Sequence, residues 1–202
     1  MKKMIAAFTF LWLPSFMAHA EIDLSQLTYA GPGCPADGQG IQVRNSVLPD
    51  RLIVYTPDLD ANVDAASISR ETCNLALPVK VGANQRVVLG RPSVFGESGL
   101  NPEAKLRATS SVFFAGGTGP TALQELDGGA DSPYFYTRSG ESITSACGEQ
   151  VIVRANVTLL ALRNSDAGAG SAQLQGTAFD LKIEDCPVEV NPEPEPDPAP
   201  AP

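Results

Sequence analysis

The chain has 202 residues, 14 Lys+Arg against 23 Asp+Glu, and a formal net charge of −9. An acidic surface repels nucleic acid and anionic lipid, and no basic stripe offsets it, so nucleic acid is excluded as a partner. The one histidine, His19, and the one tryptophan, Trp12, fall in a leader expected to be removed; the mature chain then has no imidazole base, no Ser-His or Cys-His nucleophile and no histidine metal ligand.

Residues 1–20 read as a signal peptide. Met1-Lys2-Lys3 is the positive start, Ile5 to Phe16 the apolar run, and Ala18-His19-Ala20 the small-x-small cleavage site, with Glu21 as the new N-terminus. Loss of Lys2 and Lys3 takes the balance to 12 − 23 = −11. The leader is too short for a lasting anchor, and no later stretch approaches the ~20 apolar residues of a span, so no membrane span is expected after cleavage. The expected location is secreted, periplasmic or at the cell surface. Residues 21–33 form a polar lead-in ending in Gly31-Pro32-Gly33.

Residues 34–186 are mostly patterned with period two. Ile41 and Val43 alternate with Gln42 and Arg44. Leu52, Val54 and Thr56 alternate with Ile53 and Tyr55. Leu75, Leu77, Val79 and Val81 share one face, and Pro78 on the other face predicts an edge or a bulge. Gln85–Leu89, Lys105–Phe114 and Ser132–Thr137 read as further strands. The clearest are Val151–Leu159 and Phe179–Ile183, where apolar and polar residues alternate as a half-buried antiparallel strand requires. Gly- and Pro-rich turns separate these runs and no helical period lasts three turns. The fold class is therefore all-β: an antiparallel, Greek-key-like β-sandwich.

Cys34, Cys73, Cys147 and Cys186 predict two disulfides stapling this domain, since export places an even number of thiols in an oxidising compartment. Their wide spacing argues against zinc. The first and last strands are expected to lie together, which favours Cys34–Cys186 and Cys73–Cys147. Residues 187–202 are a proline-rich acidic tail. Proline at every second position cannot join a sheet and favours an extended, disordered chain, either a solvated spacer or a ligand for a proline-recognising groove.

The cysteine contexts suggest a family. Gly33-Cys34-Pro35 opens the domain, and Arg70-Glu71-Thr72-Cys73-Asn74-Leu75-Ala76-Leu77 carries the second cysteine on a strand. Ser110-Ser111-Val112-Phe113-Phe114-Ala115-Gly116 precedes a Gly-rich loop. Ser145-Ala146-Cys147-Gly148 precedes a long strand containing Asn156, and Asp180-Leu181-Lys182-Ile183-Glu184-Asp185-Cys186 closes the domain. In this order the set resembles the secreted family catalogued as domain of unknown function 4360 (DUF4360), over about residues 31–186. The resemblance implies a small exported protein with structural cysteines, and brings no catalytic residue with it.

Candidate chemistry is sparse. Asp58, Asp60, Asn62 and Asp64 place oxygens at alternate positions, as in the start of a Ca²⁺ loop, but Val63 and Ser69 stand where an EF-hand needs glycine and glutamate. Ca²⁺ is the one cofactor considered, and a solvated acidic loop is the favoured reading. Glu97, Asp127, Asp131, Glu141 and Glu149 could supply the carboxylate pair of a glycosidase, yet no spacing selects two of them. Ala115–Pro120 lacks the Lys-Ser/Thr of a phosphate loop. Asn156-Val157-Thr158 matches a glycosylation sequon inside a strand. Of the consecutive Tyr134, Phe135 and Tyr136, at least one must face outward; Tyr134 and Tyr136 are the candidate exposed contacts for a sugar or a partner, with ordinary core and cross-strand packing the favoured reading. Together these readings favour a non-enzymatic exported module, with no assigned catalytic or cofactor residue, binding a protein or glycan. The alternatives are a carboxylate-dependent carbohydrate-active hydrolase and a structural surface or matrix component. Neither ligand identity nor oligomeric state is legible.

Overall fold

The computed structural model describes residues 22–35, 41–45, 50–56, 59–64, 66–129, 132–165 and 169–187. Residues 1–20, expected as a signal peptide, lie outside the described residues, as does the expected tail from residue 188 onward. Two antiparallel sheets pack face to face. The first has the order β1 (Thr28–Ala30), β5 (Ile68–Val79), β11 (Val151–Arg163), β7 (Ala104–Phe114), β8 (Thr121–Asp127). The second runs β10 (Ser142–Thr144), β6 (Gln85–Leu100), β12 (Gly170–Asp185), β3 (Arg51–Tyr55), β2 (Gln42–Asn45). β4 (Asp60–Asn62) continues the line of β3 along β12, and β9 (Ser132–Thr137) continues that of β10 along β6. A 3-10 turn at Leu24–Gln26, capped by Asp23, precedes β1.

The core follows from side-chain alternation. Leu75, Leu77 and Val79 of β5, Val153, Ala155, Val157 and Leu159 of β11, and Leu106, Ala108 and Val112 of β7 face Leu52 and Val54 of β3, Val87, Leu89 and Val94 of β6, and Leu174, Phe179 and Leu181 of β12. One polar link crosses this core. Ser110 Oγ and Thr177 Oγ1 stand 2.6 Å apart between the sheets, and Thr177 donates to the Ser93 carbonyl at 2.8 Å. Among the described residues no buried side-chain polar atom lacks a partner. Pro78 pairs in register with Ile152 of β11, two residues past the last partner of the three-residue β1, so the ring faces an open sheet edge and no bulge is needed.

The disulfides correct one expectation. Cys34 joins Cys73 and Cys147 joins Cys186; the pairs Cys34–Cys186 and Cys73–Cys147 do not form. The lead-in docks as β1 on β5, in the first sheet, and this carries Cys34 onto Cys73 of the same strand. The last strand, β12, lies in the second sheet, where Cys186 donates its backbone N–H to Asn84 and meets Cys147, which follows β10. First and last strands are thus in different layers.

Candidate ligand-binding face

The bulges of β6 and β12 create the outer face of the second sheet. Between Leu174 and Gly176 an extra residue, Gln175, enters β12; between Ala178 and Asp180 the extra residue enters β6, at Arg91-Pro92. Each bulge reverses the inward–outward parity of its strand. The result aligns Gln42, Tyr55, Gly176, Phe95 and Phe135 in one register line across β2, β3, β12, β6 and β9. All five point away from the core, because Val54, Val94, Thr177 and Tyr134 beside them point in and are buried.

Phe135 is 68% exposed. Phe95 and Tyr55 are half-buried and meet edge to face with centroids 5.9 Å apart. Gly176 lies between them in the register. A Cβ at that position would stand 2.6 Å from the Phe95 ring and 2.5 Å from the Val54 carbonyl, so only hydrogen leaves the ring its seat. The Arg44 guanidinium covers Tyr55 at 5.8 Å from its centroid, a cation–π contact. From Tyr55 to Phe135 the row crosses three strand spacings, about 14 Å. Gln175 donates to Glu97 at 2.9 Å on one side of it. On the other, Arg51 donates to Ser93, whose hydroxyl pairs with Thr137 at 2.8 Å.

Further along the same face is a recess of about 410 Å³ lined by Asp50, Val88, Gly90, Arg91, Gly140, Glu141, Ser142, Asp180 and Lys182. Asp180 accepts from both Arg51 (2.9 Å) and the Arg91 Nε. That carboxylate raises the Arg91 pKa above the ordinary arginine value, chiefly through the hydrogen bond. Arg86 donates twice to Glu184 (2.6 and 2.8 Å), which holds the Glu184 carboxyl below the usual range. The outer face of the first sheet is different in kind. One recess there, of about 380 Å³, is lined by the exposed ion pairs Lys105–Asp127 at 3.6 Å and Arg107–Glu125 at 3.4 Å, and another, of about 470 Å³, by Ile68, Thr109, Leu160 and Leu162.

Of the aromatic trio, the structure exposes the residue the sequence reading passed over. Tyr134 is 6% exposed and donates to the Gln173 carbonyl at 3.0 Å, and Tyr136 packs against the core; Phe135 alone points out. Tyr134 fits because its partner across the strands is Gly96, where a Cβ would lie 2.6 Å from the Tyr134 hydroxyl. Burial pushes the Tyr134 phenol well above its ordinary pKa.

The acidic run is a strand rather than a loop. Leu59, Ala61 and Val63 are fully buried, so Asp60, Asn62 and Asp64 line its outer side, while Asp58 lies outside the described residues. A Ca²⁺ ion takes about six to eight oxygen ligands. Asn62 and Asp64 instead bond each other, Asp64 N–H to Asn62 Oδ1 at 2.8 Å and Asn62 Nδ2 to Asp64 Oδ2 at 3.1 Å. Among the described residues no group of three or more His, Cys, Asp or Glu is gathered as metal ligands would be.

The carboxylates considered for hydrolysis are dispersed. Asp127 ends β8 in the first sheet, Glu97 is on β6 in the second, Glu141 is engaged by Arg138 at 2.7 Å beside β10, Glu149 is exposed before β11, and Asp131 lies outside the described residues. Ala115–Pro120 is the β7–β8 connection, and Asn156 is exposed on β11.

A family model described as "Domain of unknown function (DUF4360)" matches residues 20–188, and the chain belongs to that family. No curated protein matches it significantly. Solved structures that match the chain include TmCBM61 in complex with beta-1,4-galactotriose (15% identity, TM-score 0.30, 80% of this chain and 89% of that one). A cyclase from Fischerella sp. TAU is similar at 13% identity and TM-score 0.30, over 86% of this chain and 93% of that one. The enzymatically active domain of bacteriophage CBA120 tailspike protein 4 is 13% identical with TM-score 0.23, over 80% of this chain and 19% of that one.

Proposed function

We propose that this protein is an exported, non-enzymatic module that binds a polysaccharide on the outer face of its second sheet. The observation that carries the reading is the register line Tyr55–Gly176–Phe95–Phe135. A pyranose ring has an apolar face of C–H groups and a rim of hydroxyls. An aromatic ring facing solvent packs against the first, and flanking amide, hydroxyl and charged groups bond the second. Gln42, Gln175, Glu97, Thr137 and Arg44 flank the row in that way. The groups sit on paired strands, which hold a binding surface more rigidly than loops. Two disulfides support export, and no helix among the described residues is long and apolar enough to cross a membrane.

The test is affinity gel electrophoresis of the oxidised protein against a panel of soluble β-glucans, galactans, mannans, xylans and polyuronates. Retardation by at least one is expected. Phe135→Ala should weaken it about tenfold or more, as loss of a central aromatic anchor does. Migration unchanged by every glycan, or retardation indifferent to Phe135→Ala and Tyr55→Ala, would overturn the proposal.

A further inference from the structure

The recess beside the aromatic row holds the two non-glycine residues with left-handed backbone among the described residues, Asp50 (φ 63°) and Arg91 (φ 41°). Arginine is unusual there, and such conformations persist where surrounding bonds over-determine them and cluster at binding sites. Arg51 is the residue that over-determines this one. Its Nη1 donates to Asp180 at 2.9 Å and to the Arg91 carbonyl at 3.3 Å, and its Nη2 donates to Ser93. Its side chain is 8% exposed and both amines are committed. Asp50 is fixed by Leu181, which donates to its carbonyl at 2.8 Å.

Arg91 is in the opposite situation. It sits on the bulge, its side chain is 53% exposed, and it gives one nitrogen, Nε, to Asp180. Its two terminal amines bond nothing among the described residues. Asp180 therefore holds the guanidinium plane at one edge and leaves the other edge as a donor pair at the recess. Lys182, one register step along β12, adds a cation held only by a 3.6 Å contact to Glu184, whose other oxygen belongs to Arg86.

The local charge differs from that of the whole protein. The lining itself carries Arg91 and Lys182 against Asp50, Glu141 and Asp180, a sum of −1, and the ion-pair partners Arg51, Arg86, Arg138 and Glu184 bring the neighbourhood to +1 on a chain whose net charge is −9. Glu141, one of the lining anions, is paired with Arg138 at 2.7 Å.

We propose that this recess receives the carboxylate of an acidic sugar, a uronate residue, within a glycan whose neighbouring residues lie along Tyr55, Phe95 and Phe135. The inference rests on the glycan-binding reading above and adds its ligand class. A planar guanidinium with two adjacent free amines matches a carboxylate in a way that ring hydroxyls do not. The distance fits one chain: Asp180 pairs with Arg51 and Gly176 with Tyr55, four residues along β3, or about 13 Å. Half-buried Thr137, held by the buried Ser93 hydroxyl at 2.8 Å, lies in the interval.

The test compares polygalacturonate and polymannuronate fragments with their carboxyl-reduced counterparts, which keep backbone and linkage and lose the charge. Titration calorimetry in EDTA removes metal bridging. The acidic form of at least one should bind about tenfold or more tightly than its reduced form, the worth of a charge-assisted bond. Arg91→Gln should abolish that preference, and Arg91→Lys should restore part of it. Phe135→Ala should weaken both forms alike. Thermal unfolding of each variant identifies any that fail to fold, and Lys182→Gln, on regular strand, should halve or further reduce the preference without touching the bulge. Equal binding of acidic and reduced forms, or a preference that survives Arg91→Gln, overturns the uronate assignment and leaves glycan binding standing. Failure of every form to bind overturns the uronate assignment, and glycan binding falls with it only if the wider panel also leaves migration unchanged.

Discussion

Tyr55 and Phe95 meet edge to face across a strand that separates them, their centroids 5.9 Å apart with Gly176 between. Rings on strands two apart touch only if the intervening residue leaves its outward position empty. Gly176→Ala places a methyl 2.6 Å from the Phe95 ring and 2.5 Å from backbone, so the ring must swing outward and the strand must shift. Overpacking of this kind costs about 1–3 kcal/mol. The expected result is a lower unfolding midpoint together with weakened glycan retardation. A variant with wild-type stability and binding would show that Phe95 does not need the space.

A second prediction concerns the hydroxyl pair between the sheets. Thr177→Val keeps the shape but leaves Ser110 Oγ and the Ser93 carbonyl without their partner in a dry core. The loss should be about 1–3 kcal/mol in chemical denaturation, the cost of a buried unsatisfied group. Ser110→Ala leaves Thr177 bonded to Ser93, so it should cost less, about 0.5–1.5 kcal/mol. Equal losses for the two variants would contradict this division.

The architecture was legible where alternation ran unbroken. Val151–Leu159 and Leu75–Val79 show the same buried faces in the structure that their spacing predicts. Legibility failed at the bulges. In β6 the inward residues are Val87 and Leu89, then Val94, Gly96 and Leu100; in β12 they are Ala172 and Leu174, then Thr177, Phe179 and Leu181. Odd positions give way to even ones, or the reverse, so each long strand reads as one short strand and a stretch of loop. β4 was hidden because three oxygen-bearing residues at alternate positions imitate a metal loop as well as the outer side of a strand. The candidate face was the least legible part. Tyr55, Phe95 and Phe135 are forty residues apart in sequence, and only the register of β9 on β6 and of β3 on β12 brings them together. The disulfide pairing depended in the same way on which sheet each end of the chain joins.

The two disulfides span equal separations of 39 residues, so loop-closure entropy assigns each about 4 kcal/mol. Their surroundings are unequal. Cys34 and Cys73 are buried in the core, whereas Cys147 is exposed. Mild reduction of the folded protein should therefore open Cys147–Cys186 first, with alkylation mapped to those two residues. Replacing Cys34 and Cys73 by alanine should cost more than the corresponding change at the other pair, because it also empties core volume. Labelling of Cys34 and Cys73 at early times would refute the ordering.

The last prediction is a pH dependence set by Tyr134. Its phenol is buried against Gly96 and bonded to the Gln173 carbonyl, and burial raises its folded pKa above the ordinary value. An unfolded tyrosine loses its proton near pH 10. For a group whose folded pKa is raised, the stabilisation is fully present below the unfolded pKa and is lost as pH climbs above it, because only the unfolded chain can then release the proton. Stability should thus fall from about pH 10 upward, by up to roughly 1.4 kcal/mol per pH unit from this one group. Tyr134→Phe should lower stability at pH 7 through loss of the bond to Gln173, and should flatten the alkaline decline. Denaturant midpoints of the two proteins between pH 8 and about 11 make the comparison, with ultraviolet difference spectra to follow phenol ionisation. The remaining tyrosines are common to both proteins. Parallel declines would mean that Tyr134 ionises in place and that its burial does not govern the alkaline limit.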